Sequence, residues 1–255
     1  MKLGVGMRWG MAPVLLCAVA AFAGSWVGDK KEKPKAASQT VDSGSFGVFV
    51  KGQRVVTETF HIQQQNGNSS IKSQLKEVAE SVPVDQKSNL EITGAGELLR
   101  YDWSEGGPAG GSLTVLPNNE FLIEKISASG TNKAAEQPFL MPNTSMILDN
   151  NFFVQREVLA WRYLAAACHP EAGSLQCQKG AVEFGALVPQ DRSSMRVRME
   201  LVGKEKVTIR GAERELIRLT LTGDGFEWAL WVDDRDQFKL IRIAIPADNT
   251  EVVRD

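Results

Sequence analysis

Short apolar alternations separated by turn residues run through the chain from Gly44 onward. The clearest case is the segment Met195–Leu201, in which Arg and Glu residues stand between apolar ones. A period of two is typical of a β-strand with one buried face. Asn66-Gly67 adds a strong hairpin signal, because a type I′ turn needs two residues with positive φ. The pattern therefore predicts a mainly β domain built from antiparallel strands.

One segment follows the helical period instead. Val154, Val158 and Trp161 are spaced by four and then three residues, which predicts an amphipathic helix over about 151–168. Asp149 and Asn150, at its entrance, are residue types that cap helix starts. A sheet of about ten or more antiparallel strands has to curl. We expect a large curved antiparallel sheet, a half-barrel or open barrel, with one amphipathic helix packed at its mouth, in a single domain over 44–255.

Composition excludes several broad classes. The 255 residues carry 29 Lys and Arg against 31 Asp and Glu, and 43% are hydrophobic. This balance argues against a nucleic-acid binder led by bulk charge, a mostly disordered chain and a membrane protein with several spans. The length suits one β domain with a short appendage.

The first residues predict a targeting segment rather than a part of the folded domain. A basic start is followed by the apolar run Ala12–Ala23, which ends in the small-x-small pattern Ala21-Phe22-Ala23 that signal peptidase reads. We expect residues 1–23 to be a signal peptide, residues 24–43 to be a polar linker, and the domain to be exported to a periplasm. Four lysines between 30 and 35 weaken the case for export. An uncleaved inner-membrane anchor and a cytoplasmic chain therefore stay open as alternatives.

The cysteine count fits export. Removal of the signal would take Cys17 away and leave Cys168 and Cys177 as an even pair, for which we expect a disulfide. Two free thiols, or a metal site that also uses His169, are the alternatives. We expect no metal and no cofactor, since adjacent Cys and His is an unusual ligand spacing and few His are available.

The search for catalytic motifs returns none. The chain contains no Gly-x-Ser-x-Gly elbow, no His-Glu-x-x-His, no phosphate-binding Gly loop and no Cys-x-x-Cys. We name no catalytic residue and lean away from an enzyme. A hydrolase with an unrecognised site near His61, Asp102 and Glu105 remains the third-ranked hypothesis.

Two segments carry a family resemblance. The opening GSFGVFVKGQRVVTETFHI resembles the first hairpin of uncharacterised exported bacterial domains, and the ending FEWALWVDDRDQFKLIRIAIPADNTEVVRD resembles their closing strands. These domains are similar in architecture to the lipoprotein-carrier type. The resemblance implies an antiparallel half-barrel whose apolar concave face is covered by helices and receives acyl chains.

The first-ranked function is a non-catalytic envelope module that binds a lipid or other apolar ligand between the curved sheet and the helix. The candidate groove residues are Trp161, Phe226, Trp228, Met195, Met199 and Val158. The alternative is a structural or protein-interaction domain of the cell envelope with a filled core. The expected partners are a lipid or apolar small molecule, or an envelope protein. We expect no nucleic acid, and membrane contact only through an uncleaved N-terminal segment.

Overall fold

The computed structural model of the protein describes residues 38–77, 85–107, 110–128, 135–171 and 174–255. The predicted signal segment 1–23 and most of the predicted linker lie outside the described residues. The strands, in chain order, are β1 (Gln39–Val50), β2 (Gln53–Gln65), β3 (Asn68–Glu77), β4 (Asp85–Thr93), β5 (Leu98–Glu105), β6 (Gly111–Asn118), β7 (Phe121–Ala128), β8 (Ala135–Phe139), β9 (Met146–Ile147), β10 (Cys168–Glu171), β11 (Ser174–Cys177), β12 (Val182–Val188), β13 (Ser193–Ile209), β14 (Ala212–Gly223), β15 (Phe226–Asp233), β16 (Lys239–Ile245) and β17 (Thr250–Arg254). The helix α1 spans Val154–Ala167, and a short 3-10 helix spans Pro246–Asp248.

One large sheet holds most of the strands. Its 15 strands follow the order β8-β7-β6-β5-β4-β3-β2-β1-β17-β16-β15-β14-β13-β12-β9. Two meanders therefore run outward from a central seam where β1 pairs with β17. Among the described strands, all pairings are antiparallel except that of β9 with β12, and the sheet is not closed into a barrel. The prediction of a mainly β fold with one helix is confirmed. The hairpin β10–β11 forms a separate two-stranded sheet.

The predicted turn at Asn66-Gly67 joins β2 to β3, with φ values of 54° and 80°. Lys51-Gly52 joins β1 to β2 in the same way, with φ values of 51° and 81°. Two successive positive φ angles match the twist of the flanking strands, which explains why these short turns set the register.

Gly203 is not a turn, although the cluster Gly203-Lys204-Glu205 has turn composition. Its φ of 143° produces a bulge, and the register with β14 shifts between Leu201 and Gly203. Strand β13 then continues to Ile209. The sheet also begins earlier than expected, because β1 starts at Gln39, inside the predicted linker.

Helix α1 begins three residues later than predicted. Its N-cap is Phe153, which has no side-chain cap bond. The carboxylate of Asp149 instead accepts the backbone N–H of Asn151 at 2.8 Å, ahead of the helix. The helix is buried on all sides in its first two turns, whereas the predicted stripe would have buried one face. Cys168, the last residue of the predicted helix, opens β10.

The main core lies on the face of the sheet that carries α1, which we call the core face. Side chains from the helix pack there with residues of both meanders, including Phe46, Leu90, Val197 and Ile243. A smaller second cluster lies on the opposite, outer face. It consists of Val207, Ile209, Leu216, Trp231, Ile241 and Val253.

The two terminal strands of the sheet are short. At one end, β8 is five residues long and contains the exposed Pro138, which carries no backbone N–H. At the other end, β9 has two residues. Within the described residues, no helix has the length and apolar character needed to cross a membrane.

Candidate functional site

The six predicted groove residues do not share one cavity. Val158 and Met199 are fully packed in the main core, with exposures of 5% and 0%. The rings of Phe226 and Trp228 lie 5.2 Å apart and are half-buried against the same core. Met195 lies elsewhere, in a cleft of about 820 Å³ beside the loop 140–145, whose walls are largely polar. These residues therefore contribute mainly to packing.

Trp161 contacts a residue that lines an apolar cavity. Its indole Nε1 donates a hydrogen bond to the backbone oxygen of Phe238 at 2.9 Å. Phe238 lines a cavity of about 500 Å³ that we call the end cavity. The residues that line the end cavity are Pro170, Leu175, Leu201, Gly203, Lys204, Ile217, Asp234 and Phe238.

One wall of the end cavity is the hairpin β10–β11. Pro170 and Leu175 are directly opposite each other in this hairpin. Cys168 and Cys177, also opposite each other, are joined by a disulfide, which confirms the predicted bond. An isolated two-stranded hairpin is marginally stable in water. The disulfide therefore keeps this wall in place next to the end of α1.

The opposite wall comes from the sheet. Leu201 and Ile217 extend from β13 and β14 on the core face, and the bulge at Gly203 shapes the wall between them. Phe238 belongs to the turn between β15 and β16 and has a φ of 56°, a rare value for a bulky residue. Its backbone oxygen is held by Trp161. The helix thus fixes the turn that closes the cavity.

A single ion pair interrupts this apolar lining. The Lys204 ammonium lies 2.7 Å from the Asp234 carboxylate, and the side chains are 53% and 20% exposed. The hydrogen bond to Asp234 raises the pKa of Lys204 above its ordinary value, so the lysine is charged at neutral pH. The end cavity therefore combines an apolar interior with a balanced pair of charges at its rim.

A buried polar cluster holds the start of α1. The carboxylate of Glu58 on β2 accepts the backbone N–H of Phe153 at 2.7 Å and that of Val154 at 3.3 Å. A residue 95 positions away in sequence thus caps the helix. Ser73 donates to the same carboxylate at 2.6 Å. Burial raises the pKa of Glu58 to about 7, against these hydrogen bonds.

Two further buried groups complete this helix-start cluster. Asp149, whose pKa is raised by burial, accepts hydrogen bonds from Tyr101 and Gln190. Burial also lowers the pKa of Arg156 to about 10, although Asp149 and Glu58 oppose the decrease. Asp149 and Glu58 have 0% exposure, whereas a group that acts on a substrate has to be accessible to it. The cluster positions the helix rather than providing a reactive site.

A second buried ion network fixes α1 to the central seam. Arg254 on β17 donates to Asp42 on β1 at 2.6 and 2.7 Å and to Glu157 of the helix at 3.3 and 3.4 Å. Its guanidinium lies 5.1 Å from the ring centroid of Phe60. We call Asp42, Glu157 and Arg254 the seam cluster. It joins the first strand, the last strand and the helix in one contact.

The hydrolase hypothesis places its residues on two faces. His61 and Asp102 line an outer-face groove of about 670 Å³ that crosses β2 to β6. The side-chain amide of Gln86 donates a hydrogen bond to Glu105 at 3.4 Å. Glu105 is on the core face, because it is three residues after Asp102 and residues three apart in a strand point to opposite faces. Burial works to raise the pKa of Asp102, but hydrogen bonds from Arg100 and Thr114 outweigh it and lower the pKa. The geometry does not pair these carboxylates for acid–base chemistry.

Sequence reasoning did not identify Glu58, Arg254 or the pair Lys204 and Asp234. The available signal was Gln155-Arg156-Glu157, a run of three polar residues near the start of a largely apolar helix. All three side chains are buried, at 0%, 3% and 0% exposure, and such side chains need partners elsewhere in the chain. Within the described ranges, no group of three or more His, Cys, Asp or Glu residues is arranged to hold a metal ion.

Comparison with known proteins identifies no relative of this chain. No protein-family profile matches the chain, and neither a curated protein nor a solved structure matches it significantly.

Proposed function

We propose that this domain is a non-catalytic module that binds a lipid or other apolar ligand in the end cavity. The observation that carries the proposal is the cavity itself, about 500 Å³ in volume and lined mainly by Pro170, Leu175, Leu201, Ile217 and Phe238. Ligand sites are commonly concave, apolar and between about 300 and 1,000 Å³ in volume. The end cavity has this size and this character.

The contacts of α1 support the half-barrel part of the proposal. The helix is bound by Glu58 of β2 on one side, and the Tyr163 hydroxyl accepts the N–H of Leu201 in β13 at 2.9 Å on the other. β2 and β13 are six places apart in the strand order. Six strand spacings cover about 29 Å in a flat sheet, whereas the two contacts are about 14 Å apart along a helix that is about 10–12 Å wide. We infer that the sheet curves around the helix to make both contacts.

The proposed location of the ligand differs from the groove expected under the helix. Leu159 and Ala160 have 0% exposure, as do Val154 and Tyr163, so α1 fills the space against the sheet. An apolar ligand is therefore proposed at the C-terminal end of the helix. Export remains part of the proposal. A disulfide such as Cys168–Cys177 is typical of oxidising compartments.

Fluorescence of the apolar probe N-phenyl-1-naphthylamine, titrated with the full chain, tests the proposal. We expect saturable binding that Leu175→Arg abolishes, because the variant places a charge in the cavity wall. Val202→Arg is the matched control. Val202 is adjacent to the cavity residue Leu201 but is 57% exposed, so binding should persist. Circular dichroism checks that both variants are folded.

Native mass spectrometry of the full chain from a bacterial periplasm, followed by organic extraction, provides an independent readout. A stoichiometric co-purifying lipid would support the proposal. Absence of probe binding together with an apo mass would reject it. That result would favour the alternative, an envelope interaction domain with a filled core, for which the 75% exposed Leu140 beside the β8 end is the candidate contact.

A further inference from the structure

We propose that the Lys204–Asp234 pair makes the end cavity selective for single-chain amphiphiles with an uncharged, hydroxylated head group, such as a monoacylglycerol. The inference rests on the proposed function, since it assigns the ligand class of the same cavity. Its basis is the placement of one cation and one anion in the lining of an otherwise apolar cavity.

The pair bridges two parts of the rim. Lys204 follows the bulge in β13 and is opposite Ile217 of β14. Asp234 belongs to the turn after β15, and their charged groups are 2.7 Å apart. The next charges around Lys204 are Glu215 and Arg235, one of each sign. The rim is therefore electrically balanced and favours neither an acid nor an amine.

The pair still offers hydrogen bonds. The Lys204 ammonium has three N–H donors, and a single carboxylate does not use all of them. The Oδ1 atom of Asp234 is shielded from water and accepts no hydrogen bond. A hydroxyl both donates and accepts, so it can serve each partner after a small side-chain rotation. A charged head would bring an unbalanced charge into an apolar site, which is unfavourable.

Three ligands with the same twelve-carbon chain test this selectivity: 1-monolaurin, dodecanoate and dodecyltrimethylammonium. Each is used below its micelle concentration to displace N-phenyl-1-naphthylamine from the full chain at pH 7.5. We expect 1-monolaurin to bind most tightly. The preference over each charged ligand should be about fivefold, the upper end for a partly exposed charge pair.

Two variants should shift the expected preference in opposite directions. Asp234→Asn leaves Lys204 without its partner, so dodecanoate should gain about fivefold in affinity. Lys204→Met leaves Asp234 alone, so dodecyltrimethylammonium should gain instead. Lys206→Met is the matched control. Lys206 is on the same strand as Lys204 and forms an exposed ion pair with Glu213 at 3.3 Å. Its removal should leave the order of the three ligands unchanged.

The outcomes separate the two proposals. The predicted order in the wild type, with opposite gains in the two variants, supports selection by the pair. Equal affinities of the three ligands in the wild type, or affinity ratios that are unchanged in both charge variants, overturn the selectivity, while probe binding leaves the proposed function standing. Failure of the folded wild type to bind the probe or any of the three ligands overturns both.

Discussion

The free energy of unfolding should fall as the pH rises, and Glu124→Gln should remove a measurable part of that fall. Glu124 is on the core face of β7 with 0% exposure, and neither carboxylate oxygen accepts a hydrogen bond. Burial raises its pKa from 4.5 to about 7, although Arg192 opposes the increase. Between these pH values the folded state keeps a proton that the unfolded chain has released. Its stabilising contribution is therefore present below about pH 4.5 and lost as the pH rises through about 7.

The magnitude follows from the shift. At about 1.4 kcal/mol per pKa unit, protonated Glu124 contributes about 3 kcal/mol at pH 4.5 that is absent at pH 8.5. Glutamine has nearly the same shape and cannot ionise. The free energy of unfolding of Glu124→Gln minus that of the wild type should thus be about 3 kcal/mol larger at pH 8.5 than at pH 4.5. Burial also raises the pKa values of Glu58, Asp149 and Glu157, but they change alike in both proteins and cancel in this difference.

Urea unfolding followed by tryptophan fluorescence, at pH 4.5 and at pH 8.5, measures the difference directly. The matched control is Glu120→Gln, in the exposed turn before β7, which should keep the pH dependence of the wild type. An identical pH dependence in the wild type and in Glu124→Gln would refute the reasoning, because it would mean that the buried carboxyl titrates as an ordinary glutamate.

Three more predictions concern stability. Arg254→Met should lower the free energy of unfolding at pH 8 by about 3–5 kcal/mol, because the buried Asp42 and Glu157 side chains lose the guanidinium that bonds both of them, and Asp42 keeps only the Lys239 ammonium at 3.7 Å; urea unfolding checks this, and a loss below about 1 kcal/mol would contradict it. Replacing both Cys168 and Cys177 by Ser should cost about 2.5–3 kcal/mol through the short loop that the disulfide closes. An unchanged melting temperature would exclude that contribution. Gly203→Ala should cost about 1–3 kcal/mol because of its φ of 143°, although nothing lies within 4 Å of the added Cβ. Val202→Ala, at an exposed neighbour, should cost far less in the same melting experiment.

The local parts of the fold were predictable from sequence. The period of two and the turn at Asn66-Gly67 depend on neighbouring residues, so they indicate strands and hairpins without knowledge of the rest. The turn composition of Gly203-Lys204-Glu205 is local too, and here it is misleading, because no turn forms at Gly203. Strand β13 continues past it because Val207 and Ile209 pack in the outer cluster with Trp231, a residue more than twenty positions away. A strand that depends on distant contacts cannot be assigned from its own residues.

The candidate site was predictable only in its covalent part. Cys168 and Cys177 could be paired by counting. The end cavity itself is formed by a hairpin, a bulge and a turn that meet only in three dimensions. Glu58 caps a helix 95 residues further along the chain, and no periodicity reports such a contact. The rest of the site is therefore set by tertiary contacts rather than by local pattern.

The two short ends of the sheet bear on how the protein behaves when it is concentrated. A free strand edge is a template on which another chain can add a strand, and open sheets can grow into fibres by that route. Here Pro138 withholds a donor from β8, and β9 offers only two residues, Met146 and Ile147. Fifteen described strands are thus joined in one sheet, and each of its two terminal strands is a poor template for a strand from a neighbouring molecule. The inner strands are long and regular, and the short terminal strands limit how far that regularity can extend into a neighbouring molecule.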